Sequence, residues 1–203
     1  MVIYQSTLKL SKYLAFDTIQ MFNETHRKFY HEVHTHNGKI NITRFFLIEN
    51  GKDPNEDFID EKSLWNSFID LIKNEITIKL YEYTEKFETL FHNYFEKDLD
   101  AVSLEIFFDN MYITKLKKHI SACTPFTQSS DKNNPYSFHI ILFLNNVSTG
   151  GVIHFPYHNI RVEPFMYNMV IFPDSWNVSY TECSSPCDDI YQLHIHCKLN
   201  KRS

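Results

Sequence analysis

The chain has 203 residues, 43% of them hydrophobic and 16% aromatic, with a formal net charge of −5. That is enough apolar material for one domain with a sizeable core, so a wholly disordered chain is excluded. The mixed charge, without a long basic run, argues against nucleic acid as the main partner. No apolar run reaches the roughly 18–20 residues of a membrane-spanning helix. The opening stretch, MVIYQSTLKLSKYLAF, has neither a basic leader nor a small-residue cleavage site. An intracellular protein with no membrane partner is therefore expected.

The stretch from Leu10 to about Val33 reads as a helix, because Leu14, Ile19, Phe22, Phe29 and Tyr30 recur at helical spacing. His31, His34 and His36 follow in HEVHTHNG. Three close histidines could ligate a metal, but the segment is read as a solvated helix end running into an Asn37-Gly38 turn. Ile40 to Ile48 is strand-like, with a turn at Asn50-Gly51. After an acidic loop, Ser63 to Leu80 reads as a helix with Leu64, Phe68, Leu71, Ile72 and Ile76 on one face. Tyr83 to Phe95 continues the helical period.

The period changes near residue 100. Val102, Leu104, Ile106 and Phe108 alternate with other residues, Asp109-Asn110 follows, and Met111 to Leu116 resumes, a pattern that suggests a β-hairpin. Lys115, Lys117, Lys118 and His119 read as an exposed strand edge guarded by lysine. Cys123 to Pro135 reads as a loop.

Phe138 to Asn177 organises the remainder. Two of the four glycines, Gly150-Gly151, lie there, at a corner that calls for positive φ. Strand-like runs at Phe138 to Leu144, Val152 to Phe155 and Met169 to Phe172 surround them, and Asn145-Asn146, Pro156, Pro164 and Pro173 punctuate the runs.

Of the four cysteines, Cys183 and Cys187 are too isolated for a zinc site, and without secretion Cys123, Cys183, Cys187 and Cys197 are all expected to be reduced. The N-x-S/T matches at Asn23, Asn41, Asn146 and Asn177 then carry no meaning. The abundance of Asn, Ile, Lys, Phe and Tyr suggests an AT-rich genome, such as that of a large DNA virus or a parasite.

Residues 100–200 resemble the 2-oxoglutarate- and Fe(II)-dependent oxygenases, prolyl hydroxylases above all. Phe143-Leu144-Asn145 is similar to the family's YLN strand end, and Gly150-Gly151 follows at the expected distance. Val162-Glu163-Pro164 is similar to its (I/V)-x-P segment, and Met169 to Ser175 to the strand that delivers the second metal histidine. The resemblance implies an α+β fold, a double-stranded β-helix of jelly-roll or cupin type backed by N-terminal helices. A single domain over 1–203 is expected, with 1–99 as mainly helical support and 100–203 as the β-helix core. The resemblance also implies iron on a His-x-Asp…His triad and a basic residue for the far carboxylate of 2-oxoglutarate.

This chain departs from that pattern at every ligand position. Thr127 or Gln128 stands where the first histidine belongs, and Ser129 or Ser130 where the aspartate belongs. Asn177 replaces the distal histidine, Ile190 the arginine, and Leu142 a tyrosine that helps bind 2-oxoglutarate. His194 and His196 lie two apart on an expected strand and so share a face with Ile190 and Gln192, inside the barrel. They read either as hydrogen-bonded remnants of a polar pocket or as a relocated metal pair, with Asp188, Asp189 or Cys197 adding a ligand. His139 and His154 are expected to face outwards.

The expected function is that of a pseudoenzyme without a cofactor that binds another protein. Some poxviral proteins with degenerate prolyl-hydroxylase-like domains bind host regulators in this way. Trp176 and Tyr180, near the pocket mouth, are the candidate interaction residues. The alternatives are a divergent Fe(II)/2-oxoglutarate oxygenase using His194 and His196, and a structural scaffold.

Overall fold

The computed structural model describes residues 3–25, 31–34, 41–49, 51–52, 59–87, 104–118, 123–127, 137–174 and 178–201. In chain order these form β1 (Tyr4–Thr7), α1 (Lys12–Thr25), β2 (His31–His34), β3 (Asn41–Ile48), α2 (Ile59–Lys86) and β4 (Leu104–Leu116). Then come β5 (Cys123–Thr127), β6 (Ser137–Phe143), β7 (Ile153–Phe155), β8 (Ile160–Val162), β9 (Asn168–Pro173), β10 (Ser179–Cys183) and β11 (Ile190–Lys201). They build two antiparallel sheets, a larger one in the order β1-β9-β6-β11-β4-β3-β2 and a smaller one in the order β5-β10-β7-β8.

Two apolar layers follow from the alternation of side chains along each strand. On one face of the larger sheet, Phe45, Ile113, Ile140, Leu142, Leu193 and Ile195 meet the helices through Phe22, Trp65, Ile72, Ile76 and Tyr83. On the other face, Ile141, Phe143, Val170 and Phe172 meet Ile153, Phe155, Val162 and Tyr180 from the smaller sheet. β6 is covered on both faces, so every one of its residues is buried. That explains its unbroken apolar run. No described helix is long and apolar enough to cross a membrane.

The Gly150-Gly151 corner has the backbone its sequence implies, with φ of +77° and +74°. A Cβ on Gly150 would lie 2.8 Å from the Ser184 carbonyl oxygen. Asn145 pins the neighbouring strand end. Its amide nitrogen donates to the Asp189 carbonyl at 2.9 Å and its oxygen accepts from the Tyr191 amide at 2.9 Å.

Several expectations need correction. The first helix is described over Lys12–Thr25, and His31–His34 form strand β2, with His31 opposite Arg44. Pairing with β3 satisfies backbone groups that a solvated helix end would leave open. His36 lies outside the described residues. Cys123–Thr127, read as loop, is strand β5, paired along its length with β10. Cys183 is disulfide-bonded rather than reduced, and Cys123 stands directly across the ladder from it. Cys187 and Cys197 are free.

The expected hairpin at Asp109-Asn110 is instead one continuous strand, β4, with a register shift. His196 faces Asn110 while Cys197 faces Phe108, leaving Asp109 as the extra residue of a β-bulge. β4 lies between β3 and β11, so its one lysine, Lys115, does not guard an edge. Lys115 instead pairs with Asp189 at 3.0 Å. Leu71, placed on the buried face of the second helix, is 39% exposed. Trp65 and Ile69 occupy that face instead. The described part of the first hundred residues therefore supplies three strands of the larger sheet as well as two helices.

Candidate functional site

Between the sheets, at the end away from the double-glycine corner, the apolar layer gives way to polar side chains. β11 supplies Gln192, His194 and His196 from one face. β4 supplies Tyr112 and Thr114, β6 supplies His139, and β10 supplies Glu182. Asp174 follows β9 directly. Register brings these groups together: His196 stands opposite His139 and Asn110, and His194 opposite Tyr112.

His139 Nε2 lies 3.1 Å from His194 Nδ1, and His194 Nε2 lies 3.1 Å from Thr114 Oγ1. The His139 and His196 rings stack with centroids 4.1 Å apart, and the His194 ring stacks on Tyr112 at 5.1 Å. His196 continues the network outward, with Nδ1 3.4 Å from Asp174 Oδ2 and Nε2 3.3 Å from the Tyr112 hydroxyl.

Electrostatics keep the deep part of this cluster neutral. Burial, with added repulsion from nearby His196 and Arg44, holds His139 and His194 well below the usual imidazole range. Burial also pushes the Glu182 carboxyl up to about 8, partly offset by Arg44. Glu182 Oε1 sits 3.9 Å from His194 Nε2 without a hydrogen bond. The separation invites an ion pair, but neither group is favoured in its charged form, so we describe a neutral acid beside a neutral imidazole.

A cleft of about 250 Å³ opens beside the cluster, lined by Arg44, Phe46, Glu49, Asn110, Tyr112 and His196. The Arg44 guanidinium carbon lies 4.3 Å from the Tyr112 ring centroid.

Ile190, Gln192, His194 and His196 share the inner face, as their spacing implied. His139 does not face outwards. It lies inside with Ile141 and Phe143, and Leu142 packs against the helices instead. β6 is buried on both sides and is apolar at every position from Ile140 to Phe143, so the sequence alone could not decide between the faces. His154 is on the outer face of β7, opposite Thr181.

Tyr180 is 4% exposed between Phe155 and Phe172 and offers no surface to a partner. Asp188 is used by Ser148, Asp189 by Lys115 and Lys118, and Cys197 is buried on the helix side. None of the three joins the histidines. Thr127 ends β5 opposite Ser179. Gln128, Ser129, Ser130, Trp176 and Asn177 lie outside the described residues. Arg44, Tyr112, Asp174 and Glu182 escaped the sequence reading. For Glu182 a signal existed, since it continues the buried parity of Val178 and Tyr180.

No protein-family model matches the chain, and no curated protein matches its sequence. Solved structures do match in fold. A prolyl-4-hydroxylase from Pseudomonas putida aligns over 99% of this chain and 93% of its own, at 11% identity and a TM-score of 0.56. A viral collagen prolyl hydroxylase from Paramecium bursaria Chlorella virus-1 aligns over 98% and 96%, at 9% identity and a TM-score of 0.61. A prolyl hydroxylase from Trichoplax adhaerens, in complex with a hypoxia inducible factor oxygen degradation domain peptide fragment, aligns over 97% and 83%, at 9% identity and a TM-score of 0.57. The chain therefore shares the coarse architecture of the 2-oxoglutarate/Fe(II) oxygenases: two antiparallel sheets backed by N-terminal helices.

Proposed function

We propose that this chain is a non-catalytic protein with the oxygenase fold, its two sheets forming a double-stranded β-helix that serves as a protein-binding module. The observation that carries the reading is the content of the space between the sheets. Phe143, Phe155, Phe172, Tyr180 and Ile190 fill its deep part. Beside it, both ring nitrogens of His194 are taken up by His139 Nε2 and Thr114 Oγ1.

These side chains do not fit an iron and 2-oxoglutarate pair. Among the described residues, no three His, Cys, Asp or Glu side chains are grouped to hold a metal ion. Ile190, where the resemblance puts an arginine, is buried among apolar side chains. A protein partner is supported by the Trichoplax neighbour, whose structure holds a peptide of another protein. A viral, host-modulating role is supported by the Asn-, Ile-, Lys-, Phe- and Tyr-rich composition. Affinity capture from host-cell extract tests that role. A defined oligomer that recovers no other protein would favour a scaffold.

One observation favours the second reading, a divergent metal-dependent oxygenase. The His139 and His194 nitrogens are 3.1 Å apart. Two ligands about 2.1 Å from one ion at a right angle would stand about 3 Å apart. Thermal melting with and without Mn(II), in millimolar 2-oxoglutarate and without oxygen, separates the two. A ligand present at a hundred times its Kd adds about 2.7 kcal/mol. In a chain of this length that raises Tm by about 5–10 °C. The expected result is no Mn(II)-dependent shift. A shift of that size, abolished in His194→Ala, would overturn the proposal.

A further inference from the structure

Arg44 is a permanent cation with no ion-pair partner among the described residues. It rises from β3 onto the inner face of the larger sheet, with its guanidinium carbon 4.3 Å from the Tyr112 ring centroid and 5.9 Å from that of Phe46. Its Nε is buried and makes no hydrogen bond, and no carboxylate among the described residues pairs with it. A guanidinium cannot shed its proton as a buried histidine can, so the charge persists. Withdrawing such a group from water without a hydrogen-bonded counter-charge is unfavourable. Arg44 is also a wall of the cleft described above, where an incoming anion would meet it.

The remaining walls restrict the anion. Phe46 and Tyr112 contribute aromatic ring atoms to the wall, with the Tyr112 ring held between His194 and Arg44. A volume of about 250 Å³ falls below the roughly 300–1,000 Å³ of pockets for drug-sized ligands, so the occupant is small or is one side chain of something larger. Glu49, solvent-exposed at the same cleft, adds a negative charge that repels a second anionic group. Planar carboxylates match the guanidinium fork in two parallel hydrogen bonds.

We propose that this cleft binds a single carboxylate carried on a small flat apolar body, held by Arg44. The proposal rests on the reading of the domain as a binding module and names the chemistry that module would recognise. The carboxylate can belong to a free acid or to the chain terminus of a docked protein.

The test is a titration of the whole chain, followed by NMR of the arginine side-chain N–H signals. The probes are benzoate, benzamide, and a Gly-Gly-Phe peptide with an acetylated N-terminus and either a free or an amidated C-terminus. Benzoate is expected to shift the Arg44 signal with saturation, and benzamide is not. Binding is expected to weaken at least tenfold in Arg44→Gln, to weaken in Arg44→Lys, which keeps the charge and loses the fork, and to tighten several-fold in Glu49→Gln. A peptide acid that binds tenfold more tightly than benzoate, while its amide does not bind, assigns the source to a protein terminus. Benzoate binding as tightly as the peptide assigns it to a free acid.

Equal binding of benzoate and benzamide overturns the proposal. So does a Glu49→Gln variant that binds no better, or the absence of any benzoate shift at roughly 10 mM, the range of weak millimolar affinity. If Arg44→Gln fails to fold, Arg44→Lys and Glu49→Gln still decide. None of these outcomes depends on metal, so a failure here is distinct from the Mn(II)-dependent stabilisation that would overturn the module reading.

Discussion

Glu182 and the two deep histidines oppose one another as pH changes, because burial favours the neutral form of each. For Glu182 the folded pKa, about 8, lies above the ordinary 4.5. Its neutral form is no liability below the unfolded value, and stability is lost as pH rises from there through the folded value. For His139 and His194 the folded pKa lies below the ordinary 6.5, so stability is lost as pH falls from about that point. Glu182→Gln keeps the size of the side chain and removes only its titration. Its stability advantage over the native chain should be constant below about pH 4.5 and should grow by roughly 5 kcal/mol by pH 8, since each pH unit between the two values adds about 1.4 kcal/mol. Urea unfolding from pH 4 to 9 measures this, and parallel profiles for the two chains would refute the buried neutral acid.

The bulge in β4 shows how an element can be read correctly in composition and wrongly in shape. Ile106 and Phe108 share a face at even positions, and Met111 and Ile113 share the same helix-facing core at odd ones. A hairpin at Asp109-Asn110 accounts for that change of parity, and so does one unpaired residue within a single strand. Only the partners decide, and β11 pairs with both halves of β4. Deleting Asp109 should therefore leave all four apolar residues on their face. It forgoes the ion pair with Lys198 and the bond from the Gly51 amide, at about 1 kcal/mol. Deleting Phe107, which is 46% exposed, throws either Ile106 outwards or a carboxylate inwards and should cost at least about 3 kcal/mol. Circular-dichroism melts of the two deletions would rank them, and the reverse order would argue against the bulge. The same logic bounds what the sequence could reveal of the site. The spacing of His194 and His196 fixed their shared face, because β11 alternates. His139 and Leu142 sit on β6, whose apolar residues fall on both faces, so alternation carries no information there. Arg44 joins the site only through the β3–β4 pairing, which a one-dimensional reading does not contain.

At the scale of the molecule, two apolar layers share one sheet, and β11 lies at the middle of it, between β6 and β4. Its residues reach both layers, Leu193 and Ile195 towards the helices and Ile190 towards the smaller sheet. A chain ending at Asp189 loses the strand that joins β6 and β9 to β4 and β3. It should show no cooperative melt and rapid proteolysis throughout. A truncated chain that melts cooperatively would mean that β4 and β6 can close on each other.

The position of β11 also sets a timetable for the living cell. A ribosome releases it after the other described strands, so β4 and β6 emerge with one ladder edge each and no neighbour to cover it. At 5–20 residues per second, the stretch between Phe143 and Ile190 takes roughly 2–9 s to make. Throughout that interval the nascent chain offers two apolar edges to any other extended segment, and a chaperone that shields them until Ile190–Lys201 arrives would decide how much of the protein is recovered in soluble form.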